Sequence, residues 1–215
     1  MRIIAFNGSP RKEWNTATLL NKALEGAASA GAKTELVHLY DLKYHGCISC
    51  FACKEKDGKS YGRCAVKDDL KPIFKRIEES DAVIFGSPVY LANISGEMQS
   101  FLERLVFQYL TYTDPPGSLF PGKIRAGFIY TMGVPEKVMH ELGYGQRFAV
   151  VDRLLKITFG SSETLLCFDT YQFEDYSRFV APRFNPEEKL KIRKEVFPRD
   201  CKKAFEMGLR LVKNK

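Results

Sequence analysis

The chain has 215 residues, of which 45% are hydrophobic and 27% are charged, and its formal net charge is +7. This length suffices for one sizeable core and is short for two, so the sequence predicts a single domain over residues 1–215. No secretory leader and no run of about 20 apolar residues is visible, which predicts a cytoplasmic protein without a membrane partner. Lysine and arginine are scattered rather than gathered into a stripe, which disfavours nucleic acid and suits a phosphate-bearing small molecule.

Short apolar segments alternate with helical patterns along the chain. Five segments are predicted to be strands: 2–6, 33–40, 82–86, 125–131 and 164–169. Amphipathic periodicity predicts helices after the first strand, before the third strand and after it. Such alternation is typical of a parallel sheet with helices on both faces, in which ligands bind beyond the carboxyl ends of the strands. We therefore expect functional residues just after residues 6, 86, 131 and 169.

The loop after the first strand, "AFNGSPRKEWNTATLL", supplies a hydroxyl, a cation and a polar pair that opens a helix: Ser9, Arg11, Asn15 and Thr16. Free N–H groups and the positive dipole end of a helix favour a bound phosphate. Neither the glycine-rich dinucleotide fingerprint nor the Walker lysine motif is present, so the loop predicts a mononucleotide. A turn followed by an ordinary helix cap is the alternative interpretation.

The loop after the third strand, "GSPVYLANISGEM", repeats this design. Pro88 and Tyr90 are suited to the rim of a cleft that holds a flat heteroaromatic ring. After the fourth strand, Thr131 and Gly133 follow, and glycine allows the backbone to approach a ligand closely. Together these strand ends predict one cleft.

Four cysteines lie within eighteen residues, at Cys47, Cys50, Cys53 and Cys64. In a reducing compartment such a cluster is more often a metal or redox site than a set of disulfides. Four thiolates in C-x2-C-x2-C spacing suit a [4Fe–4S] cluster, although the ten-residue gap before Cys64 is long. A structural zinc site and redox-active or free thiols remain alternatives.

The segments "GSPRKEWNT" and "GSPVYLANISGEMQSFLERL", with the cysteine run ahead of "DDL", resemble the NAD(P)H-dependent FMN reductase family of flavodoxin-like proteins. The closest resemblance is to its iron-sulfur flavoprotein branch, over about residues 1–135. It implies a three-layer α/β sandwich with a five-stranded parallel sheet in the order 2-1-3-4-5. It also implies FMN-binding residues: Ser9, Arg11, Asn15 and Thr16 at the phosphate; Pro88, Val89, Tyr90, Leu91, Asn93, Ser95, Gly96, Thr131 and Gly133 around the ring; and Tyr171 in a fourth loop.

The resemblance implies an FMN-dependent oxidoreductase that moves electrons from NAD(P)H or a reduced protein donor to an acceptor. FMN carries the chemistry, so no catalytic acid or base is expected. A [4Fe–4S] cluster on the four cysteines would pass on single electrons. The alternatives are a pure electron-transfer flavoprotein and a non-catalytic FMN-binding protein with a structural zinc site.

The sequence gives rise to expectations for four further segments. A cysteine-rich insertion is predicted at about 44–66 and a C-terminal helical extension at about 186–213. The aromatic-rich arm at 170–185 and the Pro/Gly loop at 112–123 are expected either at the subunit contacts of a homodimer or homotetramer or over the flavin. The alternative for the arm is that it packs on its own subunit.

Overall fold

A computed structural model of the chain describes residues 1–213. The strands are β1 (Arg2–Asn7), β2 (Lys33–His38), β3 (Ala82–Tyr90), β4 (Asn93–Ile94), β5 (Ile124–Thr131) and β6 (Gly160–Cys167). The helices are α1 (Asn15–Ser29), α2 (Leu70–Glu78), α3 (Gly96–Tyr109), α4 (Glu136–Glu141), α5 (Tyr144–Phe159), α6 (Pro186–Glu195) and α7 (Phe197–Lys213). Strands and helices therefore alternate as the sequence predicts.

Five parallel strands form the sheet in the order β2-β1-β3-β5-β6, and β4 pairs antiparallel with the end of β3. The predicted order 2-1-3-4-5 describes the same arrangement. The numbers differ because the two-residue β4 is counted without widening the parallel sheet. The predicted parallel α/β sandwich is confirmed.

The strand bounds depart from the prediction most at the end of β3 and the start of β6. β3 continues to Tyr90, because Ser87 and Pro88 pair with β5 and the following two residues pair with β4. β6 begins at Gly160 rather than at residue 164, since its first four residues pair with the start of β5 although they form no apolar run. Backbone pairing with the neighbouring strands, rather than the run of apolar residues in the sequence, determines where these strands begin and end.

The strand residues alternate between two helical layers. In β1, Ile4 and Phe6 face the layer of α2, α3 and α5, whereas Ile3 and Ala5 face the layer of α1 and α7. All four side chains are fully buried, and complete burial of an Ile or Phe side chain stabilises the fold by about 1.5–3 kcal/mol. The sheet is therefore apolar on both faces, as a central parallel sheet requires.

Two glycines bring α1 and α7 into close contact. A Cβ atom at Gly26 would lie 2.0 Å from the Phe205 carbonyl oxygen, and one at Gly208 would lie 1.8 Å from the Ala23 carbonyl oxygen. The segment 186–213 thus forms two helices, and the second is a structural layer of the sandwich rather than an appendage.

The loop at 112–123 joins the end of α3 to the start of β5, at the edge opposite the carboxyl ends of the strands. Phe120 is buried there, with its ring centroid 5.0 Å from that of Tyr109 and 4.9 Å from that of Phe159. The expectation that this loop covers a ligand at the strand ends of its own chain is wrong, because the loop closes the opposite end of the core. Its position at a subunit contact stays a prediction. Within residues 1–213, no helix combines the length and apolar character needed to cross a bilayer.

Candidate functional site

The predicted loops meet at the carboxyl edge of the sheet. β1, β3 and β5 lie side by side, with Asn7 opposite Gly86 and Pro88 opposite Thr131. The Gly8 N–H donates to the Gly86 carbonyl at 2.8 Å and so continues the pairing past the end of β1. Parallel pairing in this register brings together the three loops that sequence reasoning selected.

The first loop presents the start of α1 without a side-chain cap. The residue before the helix is Trp14, which makes no side-chain capping bond, and the first turn holds no acidic residue. Ser9 instead accepts a hydrogen bond at its Oγ from the Arg11 N–H, at 3.1 Å. Of the alternative interpretation, the turn is present at Ser9 and the helix cap is absent, so the first-turn N–H groups remain suited to an anion.

Asn15 and Thr16 use their side chains to tie the loops together. The Asn15 Nδ2 donates to the Tyr171 carbonyl at 2.8 Å, and its Oδ1 accepts from Arg193 Nη1 at 2.8 Å. The Thr16 and Thr131 hydroxyls are 2.8 Å apart. These contacts fix the geometry of the loop after β1 and do not use the backbone N–H groups of the first helical turn.

The aromatic-rich arm packs on this loop. Trp14 Nε1 donates to the Tyr171 carbonyl at 3.0 Å, and Arg11 Nη1 donates to the Gln172 carbonyl at 2.6 Å. Tyr176 is buried, with its ring 5.2 Å from that of Tyr171. The structure thus places the arm on its own subunit, and Tyr171, in the fourth loop, contacts the first loop through its backbone carbonyl.

The second loop is a tight hairpin between β3 and β4. Its two central residues, Leu91 and Ala92, have φ values of 50° and 65°, and Leu91 is 98% exposed. Tyr90 is also exposed, whereas Pro88 and Val89 are partly buried at the end of the strand. The hairpin therefore presents an exposed apolar edge next to the loop after β1. This edge suits the flank of a flat ring.

Ser95 connects the second loop to the first. Its Oγ donates to the Gly8 carbonyl at 2.6 Å and accepts from the Met98 N–H at 3.3 Å, which caps α3. Asn93 bonds locally to the Ile94 N–H at 2.9 Å, and Gly96 has open space where a Cβ would stand. Ser95 is thus fully buried and structural here, while Gly96 lies open at the helix start.

Beside the end of β5 lies a buried hydrogen-bond acceptor, the Gln172 Oε1. A Cβ at Gly133 would lie 2.5 Å from Gln172 Nε2, so a larger residue here would displace this amide from its position. The Gln172 Oε1 is buried and has no hydrogen-bond partner among the described residues. A buried orphan acceptor is costly unless a ligand satisfies it. Hydroxyl and N–H donors of a ribityl chain or a flavin ring match this position.

Basic side chains from later elements surround the cleft. Lys189 of α6 donates to the Gly133 carbonyl at 2.7 Å and pairs with Asp169. Arg193, also of α6, lies with its guanidinium 5.9 Å from the Trp14 ring centroid. Arg147 of α5 contacts the Leu91 carbonyl at 3.5 Å. Sequence reasoning missed these residues and Gln172, because only the fold brings distant segments to the strand ends.

A five-stranded parallel sheet in this order, with ligand loops at its carboxyl edge, defines a flavodoxin-like α/β protein. The sequence profile of the NADPH-dependent FMN reductases matches residues 1–140, and the chain belongs to this family.

Two of the curated relatives similar to this chain are named iron-sulfur flavoproteins. The chain is 38% identical to an iron-sulfur flavoprotein of Methanocaldococcus jannaschii over 104 residues, which are 48% of this chain and 51% of that protein. It is 34% identical to an iron-sulfur flavoprotein of Archaeoglobus fulgidus over 140 residues, which are 64% of this chain and 59% of that protein. The chain thus spans about half the length of these relatives.

Solved structures of low identity share the fold. The NAD(P)H:quinone oxidoreductase from Methanothermobacter marburgensis superposes with a TM-score of 0.72 at 16% identity, covering 98% of both chains. An FMN-dependent NADH-azoreductase from Bacillus anthracis, solved with FMN, gives a TM-score of 0.65 at 12% identity, covering 99% of this chain and 100% of that chain.

The four clustered cysteines line a single cavity of about 20 Å³. They are free thiols; two are exposed, Cys64 is intermediate and Cys53 is buried, which raises the pKa of the Cys53 thiol. Helix α3 holds both ends of the segment: Glu103 accepts from the Cys47 N–H at 3.3 Å, and Gln108 accepts from the Cys64 N–H at 2.9 Å. Among residues 1–213, no three His, Cys, Asp or Glu side chains form a group that could hold a metal ion.

The cysteine cavity lies along α3 and not at the strand-end rim. Arg104, which lines it, is nine residues beyond Ser95, or about 14 Å along a helix that rises 1.5 Å per residue. The segment begins near the rim after β2 but then runs along the flank of α3.

Proposed function

We propose that this protein is an FMN-dependent oxidoreductase that takes electrons from NAD(P)H or a reduced protein donor and passes them to an acceptor. The observation that carries the proposal is the convergence of an uncapped helix start, an exposed apolar hairpin and the orphan Gln172 acceptor at one edge of the sheet. A phosphate, a flat ring and a hydrogen-bond donor are the three parts of FMN that these features suit. Membership of the FMN reductase family supports the same assignment.

When bound, FMN supplies the hydride and electron chemistry, and this chain supplies binding and orientation. The proposed FMN-binding residues are Ser9, Arg11, Asn15, Thr16, Pro88, Val89, Tyr90, Leu91, Asn93, Ser95, Gly96, Thr131, Gly133 and Tyr171. Asn15 and Thr16 act by holding the loop backbone, since their side chains bond to neighbouring loops. Arg11 contributes charge at the phosphate end, and the hairpin flanks the ring.

We further propose a [4Fe–4S] cluster on Cys47, Cys50, Cys53 and Cys64. Two observations support this proposal: four free thiols line one cavity, and the curated relatives are named iron-sulfur flavoproteins. The cavity has about the volume of one water molecule, so the cysteine segment must move outward to accept a cluster. Zinc, the alternative, would need four sulfurs at about 2.3 Å from one ion.

A cytoplasmic homodimer or homotetramer completes the proposal. An apolar groove of about 430 Å³ lies beside the cysteine segment and is lined by residues of α3, of α5 and of the position just after α3: Leu102, Val106, Phe107, Leu110, Val151 and Leu154. Apolar grooves of this kind are common at subunit contacts. Light scattering at micromolar concentration should give a mass of at least twice 24.5 kDa; a monomer would remove this part of the proposal.

The function is tested by purifying the protein without oxygen, measuring FMN content and following NADH and NADPH oxidation with a small quinone. We expect one FMN per chain and steady-state turnover. Arg11→Ala should weaken FMN binding about tenfold or more, because charge-assisted hydrogen bonds to a phosphate contribute about 1.5–3 kcal/mol. The matched control is Lys12→Ala, which removes the same charge from a residue that pairs with Asp41 at 2.7 Å. Reduction by a protein donor alone would instead identify an electron carrier, and absence of FMN binding would refute the proposal.

A further inference from the structure

A buried lysine of α6 lies beside the end of β5. The Lys189 side chain is 5% exposed, and its Nζ pairs with the Asp169 carboxylate and donates to the Gly133 carbonyl at 2.7 Å. Burial of an ion pair costs solvation, and apolar residues of similar volume are often as stabilising or more so. Stability is therefore a weak reason for a lysine here. The contact to explain is its bond to a backbone carbonyl in one of the proposed FMN loops.

This bond fixes the orientation of one peptide group. The Gly133 carbonyl and the Val134 N–H belong to the same trans peptide group, so they point in opposite directions. Because the carbonyl points to Lys189, the Val134 N–H is directed away from the lysine. Among residues 1–213 this N–H has no protein acceptor. Lys189 thus holds a backbone donor in place at the end of β5.

The buried Gln172 acceptor lies next to this donor. The Gln172 Oε1, which has no partner among the described residues, would lie 3.4 Å from a Cβ at Gly133, the residue before Val134. The backbone of Gln172 is held on both sides. Its N–H donates to the Tyr176 hydroxyl at 3.1 Å, and its carbonyl accepts from Arg11 Nη1 at 2.6 Å. A fixed donor and a fixed acceptor therefore stand side by side.

This pair matches the imide edge of a flavin, where the N3–H lies between ring carbonyl groups. A ribityl hydroxyl both donates and accepts, so it does not require such a pair. We propose that Lys189 is a positioning residue that holds the peptide between Gly133 and Val134 for recognition of the imide edge. The Val134 N–H donates to a ring carbonyl, and the Gln172 Oε1 accepts from N3–H. This inference rests on the proposed FMN site.

The charge of Lys189 also favours one redox state of the ligand. Reduction increases the electron density on the pyrimidine carbonyls of a flavin. An N–H donor with a lysine behind it therefore stabilises reduced FMN more than oxidised FMN and raises the flavin potential. Asp169 opposes this effect, because its carboxylate compensates part of the lysine charge. Removal of either partner should thus shift the potential, in opposite directions.

The test measures the affinity for oxidised FMN and the flavin potential of the full chain. Lys189→Met removes the charge and the bond to Gly133 at similar volume. It should weaken the binding of oxidised FMN about tenfold, weaken that of reduced FMN further, and make the potential more negative. Asp169→Asn keeps the bond to Gly133 and suits the φ of 52° at this position, so the potential should become more positive. Lys191→Met, at an exposed position of α6, is the control and should change neither quantity. A purely structural ion pair would not give shifts of opposite sign.

A measurement on the unmutated protein does not depend on whether these variants fold. FMN methylated at N3 cannot donate to Gln172 and should bind about tenfold more weakly than FMN. In Gln172→Ala, which removes the acceptor, the two ligands should bind equally. Equal affinities in the unmutated protein, or an unchanged potential in both folded variants, would overturn this inference while the FMN site stands. Unmutated protein that binds no FMN would refute the proposed function and this inference with it.

Discussion

The Arg193 guanidinium on α6 lies 2.8 Å from the Asn15 Oδ1 at the first residue of α1. This bond joins residues 178 positions apart and connects the C-terminal helices to the phosphate loop. Arg193 also packs over Trp14 and, at 4.2 Å, over the Phe197 ring. A residue outside the family match at 1–140 therefore orients the loop that we assign to the FMN phosphate.

Replacing Arg193 with Met should raise the FMN dissociation constant about tenfold. The expected loss reflects one charge-assisted hydrogen bond, at about 1.5 kcal/mol, through which Asn15 is held toward the loop. Fluorescence quenching of FMN on titration with apoprotein measures the constant. Lys194→Met is the matched control, since it removes the same charge from the adjacent exposed position. Equal affinities for the two variants would show that Arg193 does not support the site.

A second prediction concerns the contact between α1 and α7. Gly208→Ala should destabilise the protein by about 3 kcal/mol or more, because the new Cβ would stand 1.8 Å from a backbone oxygen that cannot move without its helix. Gly145→Ala on α5 meets no atom within 4 Å and should be neutral or stabilising by about 0.5–1 kcal/mol. Urea unfolding measures the change in the free energy of unfolding for both variants. A loss for Gly208→Ala alone would show that the contact between α1 and α7, rather than helix propensity, determines the effect.

The parts of this structure that the sequence predicts well are those set by local pattern. The strand "RIIAF" and the amphipathic periodicity of residues 95–109 identify the sheet and α3 because each buries a continuous apolar set. The loops after β1, β3 and β5 follow from the rule that parallel strands gather their carboxyl ends.

Long-range placement could not be predicted in the same way. Arg104 and Arg193 bond to side chains 36 and 178 residues away, and the Gln172 backbone carbonyl accepts from Arg11, 161 residues away; no local pattern marks these residues. The position of the cysteine cavity along α3 depends on bonds from Glu103 and Gln108 to backbone N–H groups. Such bonds carry no spacing signature in the sequence.

The third prediction is a pH dependence from Asp200 on α7. Burial raises the pKa of this carboxyl in the folded state, although the neighbouring Lys203, 3.2 Å away, opposes the rise. The folded state then binds the proton more tightly than the unfolded state does. Stability falls as the pH rises from the unfolded pKa, about 3.9, through the folded pKa, and the full penalty applies above it.

Asp200→Asn should therefore increase the free energy of unfolding at neutral pH. Between the unfolded-state and folded-state pKa values of Asp200, the free energy of unfolding of this variant should decrease less with rising pH than that of the unmutated protein. Glu195→Gln, at an exposed position of α6, is the control and should leave the profile unchanged. Denaturant unfolding at a series of pH values from mildly acidic to neutral supplies both curves. If the Asn variant were less stable at neutral pH, the ion pair with Lys203 would outweigh the burial effect.

The last prediction concerns the hairpin at Leu91 and Ala92. Both central residues have positive φ, the geometry of a type I′ turn, in which Asn-Gly is the favoured pair. A left-handed conformation costs an ordinary L-residue about 1–2 kcal/mol, so the native Leu-Ala pair stores strain. Sequence reasoning missed the turn because neither residue favours it. Strain of this kind persists mainly at functional sites.

The double variant Leu91→Asn with Ala92→Gly should raise the free energy of unfolding by about 1 kcal/mol, because the relieved strain exceeds the added backbone entropy of glycine. Its FMN affinity should fall several-fold, since the 98% exposed Leu91 side chain that we place at the ring is removed. Ala92→Gly alone should keep the affinity. Leu142→Asn, at another exposed leucine with an ordinary φ of −88°, should change neither quantity. A double variant with gained stability and unchanged FMN affinity would place the ring elsewhere in the cleft.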